Sequence, residues 1–158
     1  MGDFKLKKPI WDESDFSEMG WHDAIIWSVH PNSDEFEFLI DLDYIFGRIE
    51  PVAGETHYKF WVSPVTMVFE NASHLRMDLE SDQGIFEVSD LHMKDPRITL
   101  NEKFTDYNFD FELQNGSIQF RATGFKMFVR QQPTCTKLPR LTLKERGGIN
   151  FQRKLASR

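Results

Sequence analysis

Phe36-Glu37-Phe38-Leu39-Ile40-Asp41-Leu42-Asp43-Tyr44 alternates apolar and acidic side chains, with Leu39 as its one interruption. Successive side chains of a strand point to opposite faces. A period of two therefore sets Phe36, Phe38, Ile40, Leu42 and Tyr44 on one face and Glu37, Asp41 and Asp43 on the other. The pattern predicts a half-buried strand with a solvated acidic face. Upstream, Ala24–Val29 is a second apolar run, and Pro31-Asn32-Ser33-Asp34 between the two has turn chemistry. A β-hairpin over about residues 24–44 follows.

Register decides what the polar residues of this hairpin do. In the preferred pairing Ile25 faces Ile40, Trp27 faces Phe38 and Val29 faces Phe36. His22 then meets Asp43, Ala24 meets Asp41 and Ser28 meets Glu37. A slip of one residue would set Asp23 against Asp41 and Trp27 beside Glu37, and directly opposed like charges are unfavourable. The expectation is a cross-strand His22–Asp43 ion pair at the open end of the hairpin, with Asp23, Asp41 and Tyr44 beside it. These five residues are the candidate polar cluster.

Further strands are predicted along the chain. One runs from Tyr58 to Val62 and is broken by Ser63-Pro64, because proline has no N–H for a central ladder. Val65–Phe69, Leu75–Leu79 and Ile85–Leu91 follow, the last ended by Asp95-Pro96. Asn115-Gly116 suits a two-residue type I′ turn, which pairs Leu113 with Ile118, Phe111 with Phe120, Phe109 with Ala122 and Asp110 with Arg121. After Gly124 the apolar parity flips to Phe125, Met127 and Val129, the mark of a β-bulge. The expected fold is a single antiparallel all-β domain with little helix, a two-layer sandwich or flattened barrel of about eight to nine strands. It would occupy residues 1–132, with a loop-like lead-in over 1–20. Residues 133–158 form a basic C-terminal tail, an edge strand at Leu141 and Leu143 or a partly disordered segment.

Composition agrees. The chain has 158 residues, the size of one domain. Fifteen Phe, four Trp and three Tyr favour sheet over helix. The absence of a long apolar run argues against a membrane span. A start without an apolar signal core and the single cysteine, Cys135, fit a reducing cytoplasm. The net charge of −6 conceals a split: residues 1–120 carry 24 acidic and 9 basic side chains (−15), residues 121–158 carry 1 and 10 (+9). An acidic body repels phosphate backbones, which makes nucleic acid an unlikely partner and a basic protein a suitable one. Charge attraction favours a tail that folds back, or stays disordered, over one that binds an anion.

No catalytic, cofactor or metal residue is assigned. His22, Asp23, Asp41 and Asp43 offer one nitrogen and several oxygens to a metal, but there is no His-Glu-x-x-His and no cysteine pair. Asp41 and Asp43, with His22, can do acid–base chemistry only if their surroundings push their pKa values apart. Cys135 lies near Lys137 without a neighbouring histidine in sequence. Gly147-Gly148 is too short for a phosphate loop. Lys126-Met127-Phe128-Val129-Arg130 interleaves basic and aromatic residues, as nucleic-acid-binding sheets do. The phenylalanines could line an apolar-ligand cavity or fill the core.

Trp21-His22-Asp23-Ala24, Asp41-Leu42-Asp43-Tyr44 and Ser63-Pro64-Val65-Thr66-Met67-Val68-Phe69 together resemble a set of uncharacterised small bacterial proteins. Those carry a Trp-His-Asp stretch before the first strand, Asp-x-Asp-Tyr at the end of the second and an apolar-Pro-x-x-apolar-Phe strand after them. The resemblance covers about a third of the chain, and the basic tail lies outside it. Some proteins of this kind are thought to be immunity proteins of bacterial toxin systems, which implies binding without catalysis. The function expected is therefore a cytoplasmic, non-enzymatic binding protein whose acidic surface takes a basic protein partner. Two alternatives are a metal-assisted or acid–base enzyme at His22, Asp23, Asp41 and Asp43, and a small barrel carrying an apolar ligand.

Overall fold

Alternation along the chain produces ten strands in a single antiparallel sheet, described for residues 4–156 by a computed structural model. The strands are β1 (Ile10–Asp12), β2 (Ile25–Asn32), β3 (Glu37–Ile49), β4 (Lys59–Glu70), β5 (Ser73–Leu79), β6 (Phe86–Ile98), β7 (Thr105–Leu113), β8 (Gly116–Ala122), β9 (Gly124–Val129) and β10 (Thr134–Thr136). Their order is β1-β9-β4-β3-β2-β6-β7-β8-β5, with β10 also beside β4. Two 3-10 turns, Glu13–Glu18 and Ser33–Glu35, complete the regular structure. No helix among the described residues is long and apolar enough to cross a membrane.

The sheet is not closed into a barrel; it folds over so that two halves meet face to face. The first half holds β1, β9, β4, β3 and β2, the second β6, β7, β8 and β5. Between them lie Phe38, Phe69 and Phe125 from one half and Phe109, Phe111 and Phe120 from the other, all buried. Ring centroids are 4.6 Å apart for Phe69–Phe120, 5.0 Å for Phe38–Phe120 and 5.1 Å for Phe69–Phe109, in edge-to-face contact. The rings fill the interior against one another, so these six phenylalanines act as core, while Phe36 and Phe104 are exposed.

Two joints hold the fold-over. On one side β2 and β6 share only the pairs Ile25↔Glu87 and Ile26↔Phe86, extended by the Asp23 N–H to Val88 C=O bond (2.9 Å) and the Val88 N–H to Ala24 C=O bond (2.8 Å). On the other, β4 runs into β5 beside β8 running into β9, with Glu70↔Gly124 and Ser73↔Arg121 in the same register. The parity flip at Gly124 sits at this corner, where both chains leave one half for the other.

Strand faces follow the alternation, but several registers differ from expectation. In the first hairpin Ser28 faces Asp41, Val29 faces Ile40 and Pro31 faces Phe38, while Ile25 faces Asp43. The strand continues through Pro31-Asn32, and the chain reverses at Ser33–Phe36, with Phe36 left-handed (φ 56°). A bulge between Ile26 and Ser28 turns Trp27 to the outer face, away from Phe38. In the β7–β8 hairpin Leu113 pairs with Gly116, Phe111 with Ile118, Phe109 with Phe120 and Asp110 with Gln119. The turn residues are Gln114-Asn115, and Gly116 alone has positive φ (125°). A turn without positive φ at Gln114 or Asn115 replaces the type I′ turn and slides the ladder by an even step, so inner and outer faces are preserved.

Two prolines do not end strands. Pro64 lies inside β4 with its C=O accepting from the Arg130 N–H (3.0 Å). That side of β4 pairs with β10 up to Val62 and with β9 from Val65, so the proline sits in the gap between neighbours, where no N–H is needed. Pro96 is carried through β6 by a bulge between Lys94 and Arg97, with Asp95 at φ 54°.

Gly116 leaves no room for a side chain: a Cβ there would collide with the carbonyl oxygen of Asp78 in β5. Gly116→Ala is expected to lower stability by more than about 1 kcal/mol, read as a fall in the urea midpoint at unchanged slope.

Candidate functional site

The outer face of β3 carries Asp41 and Asp43, and both are fully buried there instead of facing solvent. Residues 137–156 lie across this face and supply its partners. Arg146 reaches both carboxylates: Nη1 donates to Asp41 Oδ2 (2.9 Å), Nη2 to Asp41 Oδ1 (2.7 Å) and Nε to Asp43 Oδ1 (3.0 Å). Arg130, just past β9, gives Nη2 to Asp41 Oδ1 (2.8 Å) and Nη1 to Thr66 Oγ1 (2.9 Å). Asp43 Oδ2 accepts from the Trp27 indole (2.8 Å) and the Leu141 N–H (2.9 Å), and Asp41 Oδ2 also accepts from the Asn150 N–H (3.2 Å). Trp27 lies under the guanidinium, 4.7 Å from Arg146 Cζ to the ring centroid.

Two carboxylates and two guanidiniums cancel in charge, and every carboxylate oxygen has a donor. Burial pushes the Asp43 carboxyl up from its ordinary value, against the pull of Arg146, the Leu141 amide and the Trp27 indole. Burial would also discharge Arg146, but Asp41 and Asp43 outweigh it and raise its pKa. For Arg130 burial wins over Asp41, and its pKa is lowered. A charge stripped of water costs several kcal/mol unless it is paired. The cluster is thus a lock: it holds the tail in the one position that satisfies both acids. All four of its carboxylate oxygens accept hydrogen bonds from the protein itself.

Local sequence places Arg146. Thr142 and Glu145 cap each other, the Glu145 N–H to Thr142 Oγ1 (3.1 Å) and the Thr142 N–H to Glu145 Oε1 (2.9 Å), making a single turn. Gly147 and Gly148, at φ 74° and 83°, then reverse the chain as only glycine does readily. That reversal brings the Gly148 C=O to Arg146 Nη1 (2.6 Å) and the Asn150 N–H to Asp41. Leu141 and Leu143 make no edge strand; the strand of this region is β10, with Cys135 opposite Trp61.

The five candidate residues do not converge. His22 is 66% exposed in its side chain and never meets Asp43. It touches the Ser89 C=O through Nδ1 (3.3 Å) and its neighbour Asp23 through Nε2 (3.4 Å). Asp23, at φ 72°, accepts from Arg48 Nη1 (3.1 Å). Beside it, burial and a hydrogen bond shared with Asp23 push the Glu87 carboxyl up, with His22 opposing. Tyr44 is on the inner face, its hydroxyl accepting from the Gly20 N–H (3.0 Å) and its ring 5.3 Å from Trp21. Asp41 stays beside Asp43 and His22 beside its neighbour Asp23, but the two pairs do not meet. Among the described residues, no three His, Cys, Asp or Glu side chains gather as metal ligands. Sequence reasoning missed Trp27, Thr66, Arg130 and Arg146. Arg130 turns inward to Asp41 and Lys126 pairs with Glu70 (3.3 Å), so the basic–aromatic stretch is not an open surface.

Among the described residues none forms such a cover on the outer face of the second half, and its charge is sorted. Cross-strand pairs set Asp90 opposite Glu112, His92 opposite Asp110 and Lys94 opposite Asn108. One end is therefore acidic. Among the described residues Glu112 has only His92 as an ion-pair partner (3.6 Å), and Asp110 is held by Gln119 (3.5 Å). The other end is basic and centred on Asp106, which takes Arg97 Nε at 2.9 Å and Arg121 Nη2 at 2.7 Å.

No family model matches the chain, and no curated protein and no solved structure matches it either.

Arg146→Met leaves two buried carboxylates short of partners and is expected to cost about 3–5 kcal/mol, whereas His22→Ala changes stability by less than about 0.5 kcal/mol; urea unfolding of both variants checks the contrast. At Asp106, burial pushes the carboxyl up but Arg121 and Arg97 outweigh it and hold it below the ordinary value. A depressed acid contributes stability that is present above the unfolded pKa, about 4, and lost as pH falls through the folded value. Asp106→Asn should lower the melting temperature at pH 7 and shrink the further loss below pH about 4.

Proposed function

We propose that this chain is a cytoplasmic, non-enzymatic binding protein of the immunity type that the sequence resemblance implies, and that it docks a basic protein partner on the acidic end of its uncovered sheet face. The observation that carries this reading is the direct opposition of Asp90 and Glu112 across β6 and β7, with Asp110 in the next row. Opposed like charges in a sheet cost roughly 0.2–1 kcal/mol per pair. A cationic side chain from a partner relieves that repulsion on binding. The first half cannot serve in the same way, since its own tail has already neutralised Asp41 and Asp43. The overall charge of −6 adds long-range attraction for a cationic protein. The single cysteine fits a reducing compartment.

The test is affinity capture of the tagged full chain in its source cell, followed by kinetics with the partner recovered. A partner of net positive charge is expected, with association slowed at least about tenfold between low and high salt and by Asp90→Asn with Glu112→Gln. A partner bound equally well by that double variant, at a rate indifferent to salt, would show the acidic face to be irrelevant.

A further inference from the structure

Ser73-His74-Leu75-Arg76-Met77-Asp78-Leu79 is the last strand of the sheet, β5, and its far edge has no neighbour among the described residues. The whole strand is exposed, with Leu75, Met77 and Leu79 at 37%, 42% and 40%. Met77 pairs with Ile118, a core residue, and Leu79 with Gly116, so both side chains stand on the inner side of the sheet at its exposed margin. Arg76 and Asp78, opposite Gln119 and Ser117, stand on the outer face. Backbone direction follows from one bond past the strand end, where the Glu80 N–H donates to the Asn115 C=O (3.2 Å). In an antiparallel ladder alternate residues turn both backbone groups to the same neighbour. Arg76 and Asp78 therefore bond to β8, and Met77 and Leu79 present their N–H and C=O to the open edge.

We propose that β5 is the docking edge for a second copy of this chain, paired antiparallel about a two-fold axis at Met77. In that register Met77 lies against the partner subunit's Met77 and exchanges backbone hydrogen bonds with it. Leu75 meets the partner's Leu79, and Arg76 meets the partner's Asp78. The same contacts repeat in reverse, as a two-fold interface requires. Apolar faces apolar, and each charge faces its opposite at the non-hydrogen-bonded positions, where side chains approach most closely. Moving the axis one residue either way puts Asp78 on the partner's Asp78 or Arg76 on the partner's Arg76. The strand thus disfavours alternative registers while complementing itself. The bulge between Ser73 and Arg76, with His74 at φ 56°, limits the flat edge to this short stretch. The proposal is independent of the acidic-face reading, and Asp90→Asn with Glu112→Gln leaves it untouched.

Strand-edge contacts this short fall in the small-interface class, under about 1,200 Å2, so association is measured by sedimentation equilibrium from micromolar to millimolar full-length protein. The wild type is expected to approach twice the monomer mass. Arg76→Asp and Asp78→Arg should each abolish the rise, and the double swap, Arg76→Asp with Asp78→Arg, should restore it. A wild type that stays monomeric throughout, or single variants that dimerise as well as it does, overturns the proposal. Met77→Cys in a Cys135→Ser background supplies a check that needs no charge change. Hydrogen-bonded cross-strand pairs hold their Cα atoms about 5.5 Å apart, within disulfide reach. Oxidised glutathione should therefore link it into a dimer and leave Glu50→Cys in the same background unlinked; equal linkage of the two also overturns the proposal.

Discussion

Asp41 and Asp43 sit on the outer face of β3, between β2 and β4, and both are withdrawn from water there. An apolar cover would strand both charges, and water alone would leave the face bare. The chain instead lays residues 137–156 over it and inserts one guanidinium that binds both carboxylates. Much of the first half's architecture answers to that contact. Trp27 is rotated outward by a bulge to floor the guanidinium. Pro64 sits in the gap where Arg130 leaves the ladder. Paired glycines turn the chain so that a backbone amide completes the set.

The alternation from Phe36 to Tyr44 was legible, and with it the strand, its inner face and the all-β class. Inner and outer sides of β7 and β8 were legible for the same reason. Register was less so, because it depends on turn geometry that Asn-Gly does not decide: Gly116 takes the positive φ while Asn115 does not. The bulge at Trp27 has no mark in its own residues. Asp41 and Asp43 stood out as a pair, but their role did not. Their partners Arg130 and Arg146 lie 89 and 105 residues away, and alternation carries no information over such separations. The concentration of positive charge after residue 120 pointed to a tail that folds back or stays disordered, without deciding between them or saying which arginine goes in.

The two halves of the folded sheet end up chemically unlike. One outer face is consumed by the molecule itself, its acids matched by its own arginines. The other keeps Asp90, Asp110 and Glu112 at one end and Lys94, Arg97 and Arg121 at the opposite end. Between them the aromatic interior holds both faces at fixed spacing, so neither adapts by collapse of the layers. The second half therefore presents both signs of charge from one sheet face.

The distance in sequence between Asp41 and Arg146 has a temporal side. Synthesis runs from the amino end, so β3 leaves the ribosome long before its guanidinium is made. Until then its two acids need water, and the first half has to remain open on that side. Closure waits for residue 146. A nascent chain interrupted before residue 146 keeps both acids without the guanidinium that binds them.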